Sequence, residues 1–251
     1  MRVIMHSLQK QLQHKLGENH LVELGMNYGT PTISHGLQKL LDAKVNRIII
    51  VPLFPQYSDT STGSAFDRVK EAITLWRDYA ETHAIHDYAT DPDYIHALTV
   101  CTQEHWMAHG KPEHLLISFH GIPVRLVKAG DPYQSQCEHT ATLLANALKL
   151  KNEEWTLCYQ SKFGYDKWLQ PSTQALFKSL PKKNIKRLDV ICPGFSIDCL
   201  ETLEEIAVSG RESFLHAGGE ELRYIPALND SSQQVDLLYH LVKNEFNEYE
   251  R

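Results

Sequence analysis

His120 ends the apolar run LLISFH, and Gly121-Ile122-Pro123 follow it at once. Glu201 lies in CPGFSIDCLETLEEI (192–206), where a second apolar run stops at Pro193-Gly194 and gives way to an acidic stretch. A neutral imidazole offers a lone pair to a proton or a divalent cation, and a carboxylate offers charge to either. Each residue also has a plainer reading. A histidine at a strand end can simply bond to nearby backbone. Glu201 stands three residues after Asp198, the spacing of a helix capping box. On a helix over about 197–208, Asp198, Glu201 and Glu205 share one face at i, i+3 and i+7. Leu200, Leu203, Ile206 and Ala207 fall opposite, as on any amphipathic helix with a solvated side.

A third patch, PQYSDTSTGSAF (55–66), sets the hydroxyls of Tyr57, Ser58, Thr60, Ser61, Thr62 and Ser64 after another apolar run. They could hold a carboxylate or phosphate near a helix N-terminus, or one of them could cap the helix. Neither a Walker A sequence nor GxGxxG is present. Gly218-Gly219 reads as a turn. His105 and His109 have i, i+4 spacing, but HWMAH lacks the glutamate of HExxH and reads as a surface pair. Cys192 and Cys199 read as packing residues.

The elements that must position these groups alternate between strand and helix. Buried parallel strands are expected at about 21–26, 46–54, 113–119, 154–159, 187–192 and 221–226, with a weaker one near 83–88. Helical periodicity fills the gaps, as at Val69, Ile73 and Trp76, or Leu143, Leu144, Ala147 and Leu148. The pattern predicts an α/β fold of two Rossmann-like domains, with parallel sheets flanked by helices. The first domain would span 1–110 and the second 111–232, and a helix over 233–251 would return to the first. In such sheets ligands bind beyond the carboxyl ends of the strands, where His120 falls and the Glu201 segment begins. The chain opens in a helical pattern (Ile4, Leu8, Leu12, Leu16) with no strand before it, so the first domain reads as incomplete.

Composition removes several classes. A net charge of −6 gives no electrostatic basis for binding nucleic acid. The apolar run from Ile48 to Phe54 contains Pro52 and is far too short to span a bilayer. Five cysteines without CxxC argue against a disulfide framework and for a reducing compartment such as the cytoplasm.

Several long motifs together resemble the ferrochelatases in their Gram-negative bacterial form. They are GMNYGTP (25–31), VPLFPQYSDTSTGS (51–64), LISFHGIP (116–123), GDPYQSQC (130–137), YQSKFGYDKWLQPST (159–173), CPGFSIDCLETLEEI and YIPALND (224–230). The resemblance implies the class II chelatase fold with a porphyrin cleft, and insertion of Fe²⁺ into protoporphyrin IX to give haem, with iron as substrate. It implies that His120 is metal ligand, pyrrole proton acceptor, or both, that Glu201 binds metal, and that Glu205 continues a metal or proton path. It places Tyr57, Ser58, Thr60 and Ser64 at the porphyrin. No cysteine follows Cys199, so an iron–sulfur cluster of the animal type is not expected. Peripheral membrane contact and a monomeric state are compatible with the resemblance. Family members open on an LGTP-type strand and a GGSP-type turn, neither of which precedes the matched region here. Weak or no insertion by the chain as written is therefore expected. Another class II chelatase, inserting cobalt into a sirohydrochlorin, and a non-catalytic porphyrin or haem carrier remain as alternatives.

Overall fold

The computed structural model describes residues 1–74 and 80–248, so the helical position expected at Trp76 lies outside the described residues. The chain forms two compact units, residues 1–88 with 229–251, and residues 89–228.

In the first unit α1 (Arg2–Leu16) follows the expected periodicity and buries Leu8 and Leu12. α2 (Ile33–Asp42), α3 (Ser64–Thr74) and two parallel strands, β1 (Arg47–Ile50) and β2 (Glu81–Ala84), complete its first part. Leu37, Ile48, Val69, Ala72 and Ala80 form the core between them. β1 is shorter than the expected 46–54. Pro52 has no N–H to donate, and pairing stops two residues before it.

The strand expected at 21–26 does not form. Only Met26 makes a bridge, to Thr32. Side chains of α1 take the backbone groups a neighbouring strand would take: Gln13 Oε1 accepts from Val22 N (2.8 Å), and Gln9 Nε2 donates to Val22 O (2.7 Å). An apolar run needs a strand partner as well as a pattern.

The second unit is a four-stranded parallel sheet of β3 (His114–His120), β4 (Trp155–Gln160), β5 (Arg187–Ile191) and β6 (Glu221–Ile225), in the order β4-β3-β5-β6. Its helices are α4 (Pro92–His109), α5 (Val124–Lys128), α6 (Tyr133–Ala147), α7 (Thr173–Ser179), α8 (Leu200–Leu203) and α9 (Arg211–His216). α4 belongs here, so the boundary falls at 88/89 rather than at 110. Tyr94 donates to Pro193 O (2.6 Å) and Trp106 Nε1 to Asp189 (2.9 Å), which ties α4 to this sheet. α10 (Ser232–Glu248) lies in the first unit against α1, where Lys15 pairs with Asp236.

From β3 the chain moves to β4 on one side of the sheet, then returns to β5 on the other. The strand order therefore reverses between β3 and β5, and in open α/β sheets the crevice beyond such a switch point is where ligands bind. His120 ends β3, and the segment leading to Glu201 leaves β5.

That segment is not one regular helix. α8 is a single turn, and a π-helix follows at Glu205–Gly210 before α9 begins. Ser209 N donates to Glu204 O (2.8 Å), an i to i+5 bond. Such π segments are uncommon and frequent at functional sites. Gly210 lets this one pack closely, since a Cβ there would lie 2.7 Å from the buried Phe177 ring and 3.0 Å from Glu205 O. Gly210→Ala is expected to lower stability by about 1–3 kcal/mol through overpacking. Urea unfolding would show this as a lower midpoint at unchanged slope, and an unchanged midpoint would refute it.

Candidate active site

His120 is half-buried at the last position of β3, near the rings of Trp168 (6.5 Å) and Phe195 (6.4 Å). Its Nδ1 lies 2.6 Å from Gly121 O. A carbonyl can only accept, so this bond puts the proton on Nδ1 and leaves the lone pair on Nε2. The bond to backbone thus orients the ring instead of competing with a role as base or ligand. Gly121 has to be small: a Cβ would stand 3.0 Å from Gln160 O and 3.1 Å from the Trp168 ring. Pro123 immediately precedes α5, where its missing N–H costs nothing.

Glu201 is half-exposed in the first turn of α8. It is not the capping partner of Asp198. Thr202 Oγ1 accepts from Cys199 N (3.0 Å) and donates to Asp198 (3.1 Å). Asp198 is buried and also accepts from Tyr224 OH (2.6 Å) and Ala227 N (3.3 Å), so it fastens the segment to the end of β6. The acidic stripe therefore divides. Its opposite face divides too: Ile206 is buried, whereas Leu200 and Leu203 are exposed, so this is not the simple amphipathic helix that the spacing suggested. Glu205 accepts from Ser161 N (2.7 Å) and Ser161 Oγ (2.6 Å), which occupies both its oxygens.

Two residues at the end of β4 were not among the sequence candidates. Gln160 pairs in register with His120, and its side chain donates to Glu201 O (2.7 Å). Ser161, with φ of 62°, holds Glu205. The signal was present in YQSK, where polar residues follow an apolar run at a strand end, but only the strand pairing places them beside His120.

Cys199 touches this cluster. Burial, and then the hydrogen bond to Glu201, push its thiol up to about 12. Since the thiolate is the nucleophile, Cys199 is expected to alkylate with iodoacetamide at mildly alkaline pH at least ~10-fold more slowly than free cysteine. Mass mapping of labelled peptides would measure this, and labelling at the free rate would contradict it. Cys192 is buried in the core, and all five cysteines are free thiols.

The hydroxyl patch belongs to the first unit and already has protein partners. Ser58 accepts from Thr60 N (3.3 Å) as N-cap of a π turn at Asp59–Gly63, and its hydroxyl lies 3.0 Å from Thr60 Oγ1. Tyr57 donates to Asp59 (2.9 Å), and Ser64 accepts from Asn27 Nδ2 (3.3 Å), which joins the GMNYGTP and STGS motifs. Of His105 and His109, whose rings lie 4.7 Å apart, His109 is exposed as expected, whereas the His105 side chain is 12% exposed and lies 3.8 Å from Asp189. Gly218-Gly219 forms the turn after α9. Among the described residues no helix is long and apolar enough to cross a membrane.

The parallel α/β architecture is that of the class II chelatase fold. Solved structures agree at the level of fold. SirB from Bacillus subtilis, determined with Fe³⁺, superposes with a TM-score of 0.69 over 95% of this chain and 86% of its own, at 13% identity. CbiX, described as the terminal enzyme of sirohaem biosynthesis in denitrifying bacteria, gives 0.60 over 97% and 91%, at 15% identity. Sequence is more specific. The ferrochelatase family profile matches residues 1–246, and the chain belongs to the ferrochelatase family. The ferrochelatase of Nitrosococcus oceani is 46% identical over 96% of this chain and 66% of its own length. That of Aeromonas hydrophila is 47% identical over 95% of this chain and 74% of its own. The chain thus spans about two thirds to three quarters of the length of these curated relatives.

Proposed function

We propose that this chain carries the metal-handling site of a ferrochelatase, for insertion of Fe²⁺ into protoporphyrin IX to form haem. The observation that supports this best is the pairing at the β3 end. His120 has Nε2 left as lone-pair nitrogen, and the glutamate helix is joined to the adjacent strand end through Gln160.

Insertion replaces two pyrrole protons by one dication, so the site must accept two protons and deliver one metal ion. In our reading His120 Nε2 takes a pyrrole proton or meets the metal, and the Glu201 carboxylate holds Fe²⁺ beside it. Glu205 is the next acid along the segment. A metal or proton path through it would first have to open its two bonds to Ser161. Tyr57, Ser58, Thr60 and Ser64 remain candidates for contact with the porphyrin, by the resemblance of their motif. Iron here is substrate rather than resident cofactor. A cytoplasmic setting fits five unpaired thiols.

Identity favours protoporphyrin over sirohydrochlorin as substrate: the ferrochelatases are 46–47% identical, whereas the likeness to CbiX, at 15%, is one of fold. The test is anaerobic incubation of the chain with protoporphyrin IX and Fe²⁺, following loss of porphyrin fluorescence, beside an arm with sirohydrochlorin and Co²⁺. Slow loss, confined to the first arm, is expected. Turnover confined to the second would overturn the assignment.

A further inference from the structure

We propose that Gln160 is a positioning residue that sets Glu201 against His120, so that the two groups face one metal ion. This rests on reading His120 and Glu201 as the metal-handling pair.

Gln160 is 1% exposed and sits where three parts of the second unit converge. Its Oε1 accepts from Ser118 Oγ (2.8 Å), on β3 two residues before His120. The same oxygen accepts from Cys192 Sγ (3.3 Å), at the end of β5. Its Nε2 donates to the main-chain carbonyl of Glu201 (2.7 Å). Its own backbone carbonyl accepts from Gly121 N (2.8 Å), beside the carbonyl that orients the His120 ring. One residue is therefore bonded next to both members of the pair.

The chemistry admits only one orientation of the carboxamide. The Glu201 carbonyl is a pure acceptor, so the NH₂ must face it and the oxygen must face the hydroxyl and the thiol. Ser118 spends its single proton on Gln160, so Thr173 Oγ1, 2.9 Å away, donates to Ser118 and fixes that hydroxyl in turn. Packing alone would need bulk at position 160. This arrangement needs a donor and an acceptor on one rigid planar group. Glutamate would set an oxygen against the Glu201 carbonyl, and methionine would keep the bulk and lose every side-chain bond.

Zinc titration calorimetry on the 251-residue chain near neutral pH tests this, with the melting midpoint of each metal-free variant measured beside it. His120→Ala should lose the binding. Gln160→Met and Gln160→Glu should each weaken Zn²⁺ binding about 10- to 100-fold while still folded, the range for residues that orient metal ligands. Ser118→Ala, which removes one orienting bond, should weaken it less and serves if both Gln160 variants fail to fold. Zn²⁺ binding unchanged in His120→Ala would refute the reading of the pair, and this proposal with it. Binding lost in His120→Ala but held within about twofold in the folded Gln160 variants, or in Ser118→Ala where that variant has to serve, would leave the pair standing and overturn the role of Gln160. A purely structural glutamine would lower the melting midpoint and leave the affinity of the folded protein unchanged, which also overturns it.

Discussion

His120→Ala should lower metal insertion into protoporphyrin IX by about 10³-fold or more, as expected when one group both accepts a proton and orients the metal. The geometry makes the loss specific. Nδ1 is committed to Gly121 O, so the ring offers one lone pair at Nε2. Alanine removes that lone pair and leaves the fold nearly untouched, because the side chain is half-buried and its hydrogen bond goes to the next residue. Stability should therefore change little while turnover collapses. Zinc insertion, followed by fluorescence at saturating metal and varied porphyrin, separates the steps. A fall in kcat with little change in the porphyrin KM marks loss of proton transfer, and partial recovery with added imidazole would strengthen that assignment. Turnover within tenfold of the unsubstituted chain would refute the role.

The strand–helix alternation was legible because buried parallel strands are continuous apolar runs, and β3, β4, β5 and β6 fall within a residue of the expected ranges. The 21–26 run is also largely apolar, yet strand formation needs a neighbour, and here glutamine side chains of α1 take the backbone of Val22. Hydrophobic periodicity also does not distinguish i+4 from i+5 bonding over six residues. The π-helix at Glu205–Gly210 was thus invisible, and the three acids looked like one stripe. Folding gives them separate tasks: Asp198 anchors Tyr224, Glu205 holds Ser161, and Glu201 stands between them with its carbonyl on Gln160. Gln160 was illegible for a related reason. Its meaning comes from register with His120, which requires knowing that β3 and β4 are neighbours.

Asp189→Ala should be the most damaging single change outside the site, lowering stability by about 3–5 kcal/mol. The Asp189 side chain is 0% exposed in the middle of β5. It accepts from Arg223 Nε on β6 (2.7 Å) and Trp106 Nε1 on α4 (2.9 Å), and Arg223 also donates to the carbonyls of His109 and of Gly110 (2.9 Å). Removing the carboxylate leaves a guanidinium that is 15% exposed without its main counter-charge, and an indole N–H without its acceptor. Unpaired burial of this kind costs far more than the intact pair contributes. Burial pushes the Asp189 carboxyl above the usual carboxylate range, and Arg223 pulls it back only in part. The folded state therefore holds this proton more tightly than the unfolded chain. The stability Asp189 contributes is greatest below its unfolded pKa and declines as pH rises through its raised folded value. Asp189→Asn should accordingly lose less, relative to the native chain, as pH rises across that window. Replacing both partners, Asp189→Leu with Arg223→Met, should cost less than the sum of the two single changes, since neither charge is then stranded. Urea unfolding of the four proteins closes this cycle. Additive losses would show that Asp189 and Arg223 act independently and that packing, not the ion pair, joins α4 to the sheet.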